Sequence, residues 1–105
     1  MKAIVGERRT NMATFVMFGK YTTEAMKGLS KDRTAEASAL VRKYGGQIKD
    51  AYALLGKTDL LLIVDFPGNA EAVKTSLALT KLTGIGFSTS PAITIDEFDK
   101  LISEL

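Results

Sequence analysis

Histidine and cysteine are both missing from this chain. Without cysteine there can be no disulfide, no thiolate nucleophile and no thiolate metal ligand. Without histidine the commonest general base, the usual zinc ligand and the usual haem ligand go as well. An excess of charge is lacking too: 14 basic residues against 12 acidic ones leave +2 at pH 7. Apart from Lys2, Arg8 and Arg9 at the front, the basic residues are spread along the chain, which is no nucleic-acid footprint. No stretch approaches the roughly 18 to 20 apolar residues of a membrane span, and the front carries no apolar block fit for a signal peptide. There is no G-x-G-x-x-G or Walker run, and Gly84 and Gly86 do not open a helix, so a nucleotide cofactor is not expected. The expectation is a protein without metal or cofactor, in a reducing cytoplasm, away from nucleic acid and membrane.

What the chain does have is apolar strand. With 46% hydrophobic and 25% charged residues over 105 positions, it suits one domain with one core. So small a domain buries roughly 60 to 70% of its unfolded surface, which makes a partner subunit an expected source of further burial. The longest apolar run lies in Tyr52 to Gly68, read as a β-hairpin at the centre of a sheet, with both faces of Leu60 to Phe66 buried.

Around that hairpin the chain divides as follows. Residues 1–11 are a lead-in, an upstream start or a short edge strand over Lys2 to Val5; residues 12–105 form the domain. Ala13 to Tyr21 is a strand rich in β-formers, with Phe15, Met17 and Tyr21 on one face and Val16 and Phe18 on the other. Thr22 or Thr23 caps a helix from Glu24 to Tyr44 whose stripe is Met26, Leu29, Ala37, Leu40, Val41 and Tyr44, with a possible break at Gly28 and Ser30 to Arg33. Gly45-Gly46 ends it. Gln47 to Leu55 is a strand, Gly56 to Asp59 a tight turn, and Leu60 to Phe66 the return strand. Asn69 caps a second helix, Ala70 to Leu82, with Val73, Leu77 and Thr80 or Leu82 inward. Ile85 to Ile95 is a last strand that Pro91 assigns to an edge or a bend. A Thr94 to Glu97 capping box then opens a terminal helix, whose Phe98, Leu101, Ile102 and Leu105 are expected to close the domain. The order β, α, β, β, α, β, α predicts an α+β fold. It is a ferredoxin-like βαββαβ with an antiparallel sheet, both helices on one face, and a C-terminal helix. Met17, Tyr21, Tyr52 and the hairpin leucines are expected on the bare face, which a face-to-face homodimer would cover.

The helix end K-Y-G-G, the strand and turn Y-A-L-L-G-K-T-D, the step D-F-P and the helix end L-T-G resemble the GYD domain family, over almost all of Met12 to Leu105. The resemblance implies a dimeric α+β barrel and a homodimer or higher oligomer, and brings no activity with it. The family's Gly-x-Tyr-Asp turn falls on Gly56, Lys57, Thr58 and Asp59, with Thr58 in place of the tyrosine. Arg33 stands where the family carries an arginine, Tyr52 where it has a tyrosine, and Asp65-Phe66-Pro67 resembles its acidic-x-Pro step. Gly86, Ser88 and Pro91 depart from it.

The candidate catalytic residues are Asp65, Tyr52 and Arg33. A carboxylate ending an apolar strand must be paired or wet, and Arg33 or Lys57 is the expected partner; an incompletely paired one could serve as a base. The candidate ligand contacts are Tyr21, Met17, Lys57 and Asp59. Each has a plainer reading: Asp59 as turn chemistry, Asp65 as an ion pair or rim group, the tyrosines and methionine as core. Two functions follow. One is a small-ligand binding or structural module, its pocket between sheet and helices. The other is a cofactor-free isomerase or monooxygenase working through carboxylate, tyrosine and arginine. The first is preferred, because related enzymes often rely on histidine.

Overall fold

The elements follow the expected order except that the first helix is two, and the computed structural model describes residues 12–105. The readings of Met1 to Asn11 lie outside the described residues. The elements are β1 (Ala13–Lys20), α1 (Thr23–Lys27), α2 (Lys31–Lys43), β2 (Gln47–Ala53), β3 (Leu60–Phe66), α3 (Asn69–Thr83), β4 (Gly86–Ala92) and α4 (Ile95–Ser103). The four strands form one sheet in the order β2-β3-β1-β4, every neighbouring pair antiparallel. This is the ferredoxin-like βαββαβ plan with a helix added at the end.

The period-2 alternation of β1 and β3 divides the sheet into two chemically different faces. Phe15 and Met17 of β1 and Leu62, Val64 and Phe66 of β3 point to the helices and are buried, together with Val41 of α2 and Ala72 and Leu79 of α3. Phe15 and Phe66 meet edge to face, with centroids 5.6 Å apart. Burying each such side chain contributes roughly 1.5–3 kcal/mol, so this one cluster dominates the stability. Met17 is therefore core, not a member of the bare face where it was expected. On the other face Phe18 lies opposite Leu61 and Val16 opposite Ile63, and no helix of the described residues buries them.

Only half of the hairpin is central. β3 runs between β1 and β2, but β2 is an edge strand exposed at every position except the half-buried Ile48. Its register with β3 slips between Ile48 and Asp50, a bulge that leaves Lys49 without a partner of its own. Pro91 sits in β4, the opposite edge, opposite Phe15, which is where proline is tolerated.

The long first helix is two. Gly28 caps α1, and Ser30 restarts the chain as α2, its hydroxyl accepting from the Arg33 N–H at 3.1 Å. Met26 and Leu29, expected in the buried stripe, lie at this break and are about half exposed. In α3 the inward side is Ala72, Thr75, Leu79 and Thr83, whereas Val73 and Leu77 point outward. Small side chains let this helix lie close on the sheet, so packing distance overrides hydrophobicity. The N-cap is Gly68, without a side-chain bond, where Asn69 was expected. The capping box of Thr94 and Glu97 is present, but α4 buries none of its residues. It stands clear of the core with Phe98, Leu101 and Ile102 about half exposed, so it does not close the domain.

Candidate functional site

α2 packs against β2, and α3 against β4 and β3, and the space between the two helices and the sheet is not filled. The result is a cleft of about 190 Å³ under α2. Its floor is Ile48 and Ala51 of β2 with Leu60 and Leu62 of β3; its walls are Ala37 and Val41 of α2 and Leu79 of α3, with Ile85 and Phe87 behind. Polar groups gather where the chain turns: Ser30, Arg33, Thr34 and Ser38 from α2, and Tyr21 just past β1. Thr83 also lines it, but that hydroxyl is consumed, donating to the Leu79 carbonyl at 2.7 Å and accepting from the Ile85 N–H at 3.0 Å.

Arg33 is the one charged side chain of the lining among the described residues. It is half-buried, and its Nη1 donates to the Thr83 carbonyl at 3.4 Å, the long end of a hydrogen bond, at the electronegative C-terminus of α3. The guanidinium rests directly on Gly28, where a Cβ would lie 2.7 Å from Nη1. A glycine at the end of α1 thus leaves room for the arginine of α2.

The signature turn contributes to this site at one remove. Asp59 accepts the Tyr21 N–H through Oδ2 at 2.8 Å, donates its own N–H to the Gly19 carbonyl at 2.8 Å, and accepts from the Leu54 N–H at 2.9 Å. It ties the β2–β3 turn to the end of β1 and so fixes Tyr21 at the rim. Gly56, at φ 140°, supplies the backbone that the turn needs. Lys57 stands exposed in the same turn, away from the cleft lining.

Asp65 and Tyr52 lie on the opposite face of the sheet. Asp65 accepts from the Thr14 hydroxyl at 2.8 Å and pairs with Lys49 at 3.5 Å, so its cation comes from the neighbouring bulge and not from Arg33 or Lys57. Tyr52 lies opposite Leu61 and is about half exposed. Leu61 is four positions along β3 from Asp65, about 13 Å at the rise of a strand. The three catalytic candidates therefore do not converge, since Arg33 is under the helices. Of the sequence candidates the structure unites Tyr21 and Arg33 at one cleft, with Asp59 supporting the first. Sequence reasoning missed Ala37, Ser38 and Thr83 as lining; the available signal was small residues on helix faces, where a close-packed or hollow spot is made.

A second groove, about 340 Å³ and more open, runs between α3 and β4 along Val73, Leu77, Phe87 and Pro91. The hydroxyls of Ser76 and Thr89 bond each other across it at 2.8 Å, and among the described residues it has no charged lining residue. Among the described residues no cluster of three or more acidic side chains is placed to hold a metal, and no helix is long and apolar enough to cross a membrane.

Solved structures similar in fold include two regulatory proteins. One is the leucine response regulatory protein of Mycobacterium tuberculosis, at TM-score 0.52 and 7% identity, covering 78% of this chain and 51% of that one. The other is an AsnC family transcriptional regulator from Agrobacterium tumefaciens, at TM-score 0.54 and 20% identity, covering 82% of this chain and 54% of that one. This chain thus spans about half the length of each, and the likeness concerns the α+β domain alone. Comparison with curated proteins gave no match. The GYD domain profile matches residues 15–102, from the first core strand through the terminal helix, and the chain belongs to the GYD domain family.

Proposed function

We propose that this protein is a self-associating small-ligand-binding module, with the ligand held in the cleft beneath α2 and the sheet covered by a second copy. The observation that carries the reading is the cleft itself, an apolar hollow with a polar rim. Small-molecule sites combine an apolar lining with a few placed polar groups. A dry cavity of about 150 Å³ is enough to bind benzene, so the 190 Å³ here suits a ring-sized molecule. The acid–base alternative has less support, because Asp65 is already satisfied by Thr14 and Lys49, and Arg33 is separated from it by the sheet.

Self-association is supported by what lies uncovered. Val16, Phe18, Leu61, Ile63 and Tyr52 share the open face; separately, Phe98, Leu101 and Ile102 of α4 are about half exposed. Contiguous apolar surface beyond a few hundred Å² is uncommon on soluble monomers and marks association. Amide NMR with ring-sized neutral fragments tests the ligand reading: residues of the cleft should shift saturably in the wild type, and the response should vanish in Ala37→Phe, which fills the hollow. Fragments that shift nothing there, or that ignore Ala37→Phe, would sink it. Light scattering at micromolar concentration should give at least a dimer, and a monomer would remove the second copy.

A further inference from the structure

We infer that the cleft selects an apolar-bodied monoanion, a small carboxylate on a ring or short chain, with Arg33 as the residue that recognises the charge. The inference rests on the binding reading above and adds the chemical class of the ligand. Three observations carry it. First, floor and walls are almost wholly aliphatic and aromatic, from Ile48, Leu60 and Leu62 to Phe87, so the part of the ligand that enters must be apolar. Second, the charged lining is a single guanidinium at the mouth, and among the described residues Arg33 is in neither of the two ion pairs, which join Glu24 to Lys27 and Asp65 to Lys49. A guanidinium carries five donors in a planar fork that matches a carboxylate. One of them reaches the Thr83 carbonyl, at 3.4 Å, which orients the group and leaves the rest of the fork to a ligand. Third, the hydroxyls of Ser30 and Ser38 line the same mouth and can donate to an anion's second oxygen, while the Thr34 hydroxyl donates to the Ser30 carbonyl at 3.4 Å. A cation that is in no ion pair among the described residues, set against an apolar hollow, complements an anion with an apolar body and repels an amine.

Size bounds the ligand further. At about 190 Å³ the hollow is close to the benzene-binding case, which suits one ring or a short alkyl chain and excludes a nucleotide or a long acyl chain.

Benzoate and its neutral isostere benzamide separate charge from shape. In amide-detected NMR titrations of the intact protein, benzoate should shift cleft residues such as Ala37, Ala51 and Leu79 saturably, at least tenfold more tightly than benzamide, while acetate does not bind. Arg33→Gln should remove that preference by weakening benzoate at least tenfold and leaving benzamide unchanged. Arg33→Lys, which keeps the charge without the fork, should fall between the two and guards against a folding defect in the first variant. Ala37→Phe should abolish both responses. If benzoate and benzamide bind equally, or Arg33→Gln changes neither, the anion inference is wrong although the cleft reading survives. If both titrations ignore Ala37→Phe, the cleft reading fails with it. Cleft shifts that track protein concentration and not benzoate would mean that a second copy fills the hollow, which also overturns the inference.

Discussion

Replacing Gly46 with alanine should be the most damaging single methyl that can be added to this fold. Gly46 follows α2 and is buried, and its backbone is not in the left-handed region, so any penalty comes from space alone. A Cβ there would lie 2.6 Å from Cε1 and 2.8 Å from Cδ1 of Phe66, and 3.0 Å from Cγ1 of Val41. Carbon atoms rest at about 3.5–4.0 Å, so the shortfall on the ring is about 1 Å. Phe66 has no exposed surface and stands edge-on to buried Phe15, so the ring cannot retreat without moving the centre of the core. Overpacking of this kind costs about 1–3 kcal/mol, and two ring contacts plus a valine place it near the upper end. In a domain of about 100 residues that lowers Tm by about 12–24 °C. Urea titration at fixed protomer concentration is the assay. Gly86→Ala is the control: no atom of the described residues lies within 4 Å of its Cβ, so it should be neutral or gain about 0.4–1 kcal/mol from the stiffer unfolded chain. In a double-mutant cycle, Phe66→Leu should relieve part of the Gly46→Ala cost, a coupling of at least about 0.5 kcal/mol. A Gly46→Ala midpoint equal to wild type, or strict additivity in the cycle, would refute the packing argument.

Other substitutions read other parts of the structure. Asp59→Ala removes the acceptor of the Tyr21 N–H and should cost about 1.5–3 kcal/mol, with faster hydrogen exchange at Tyr21; Asp59→Asn should lose much less. Thr75 is fully buried and its hydroxyl has no hydrogen-bond partner among the described residues, so Thr75→Val should raise the urea midpoint, by about 1 kcal/mol. Thr94→Ala removes the capping box of α4; it should cost that helix about 1 kcal/mol, seen as faster exchange confined to α4 together with a shift toward smaller species in light scattering.

The element order was legible because each signal was local. Alternation in β1 and β3, glycines after α2 and α3, and the Thr94–Glu97 box each depend on a few neighbouring residues. What the sequence hid was which of several plausible partners is nearest. Asp65 finds Lys49 because a bulge in β2 brings that lysine within 3.5 Å, and no spacing rule announces a bulge. Val73 and Leu77 read as inward because they are large and apolar, yet α3 turns Ala72 and Thr75 to the sheet, since close approach favours small side chains. Part of the cleft was visible: Tyr21 and Arg33 stood out as individuals. Their meeting depends on Asp59 at one end and on the Gly28 gap at the other, two long-range conditions that a linear pattern does not carry.

The two strands at the margins of the sheet restrict how copies of this protein can meet. The bulge at Lys49 kinks β2 and puts a lysine on that margin, and Pro91 takes one N–H out of β4. Both are devices that spoil the straight row of donors and acceptors along which one sheet extends into the next. With lateral growth blunted on either side, the proposed self-association falls to the open face of the sheet, where a twofold axis would use the surface up in a single step. The same irregularities that look like defects in a strand thus favour a closed assembly of a few chains over an open-ended fibre.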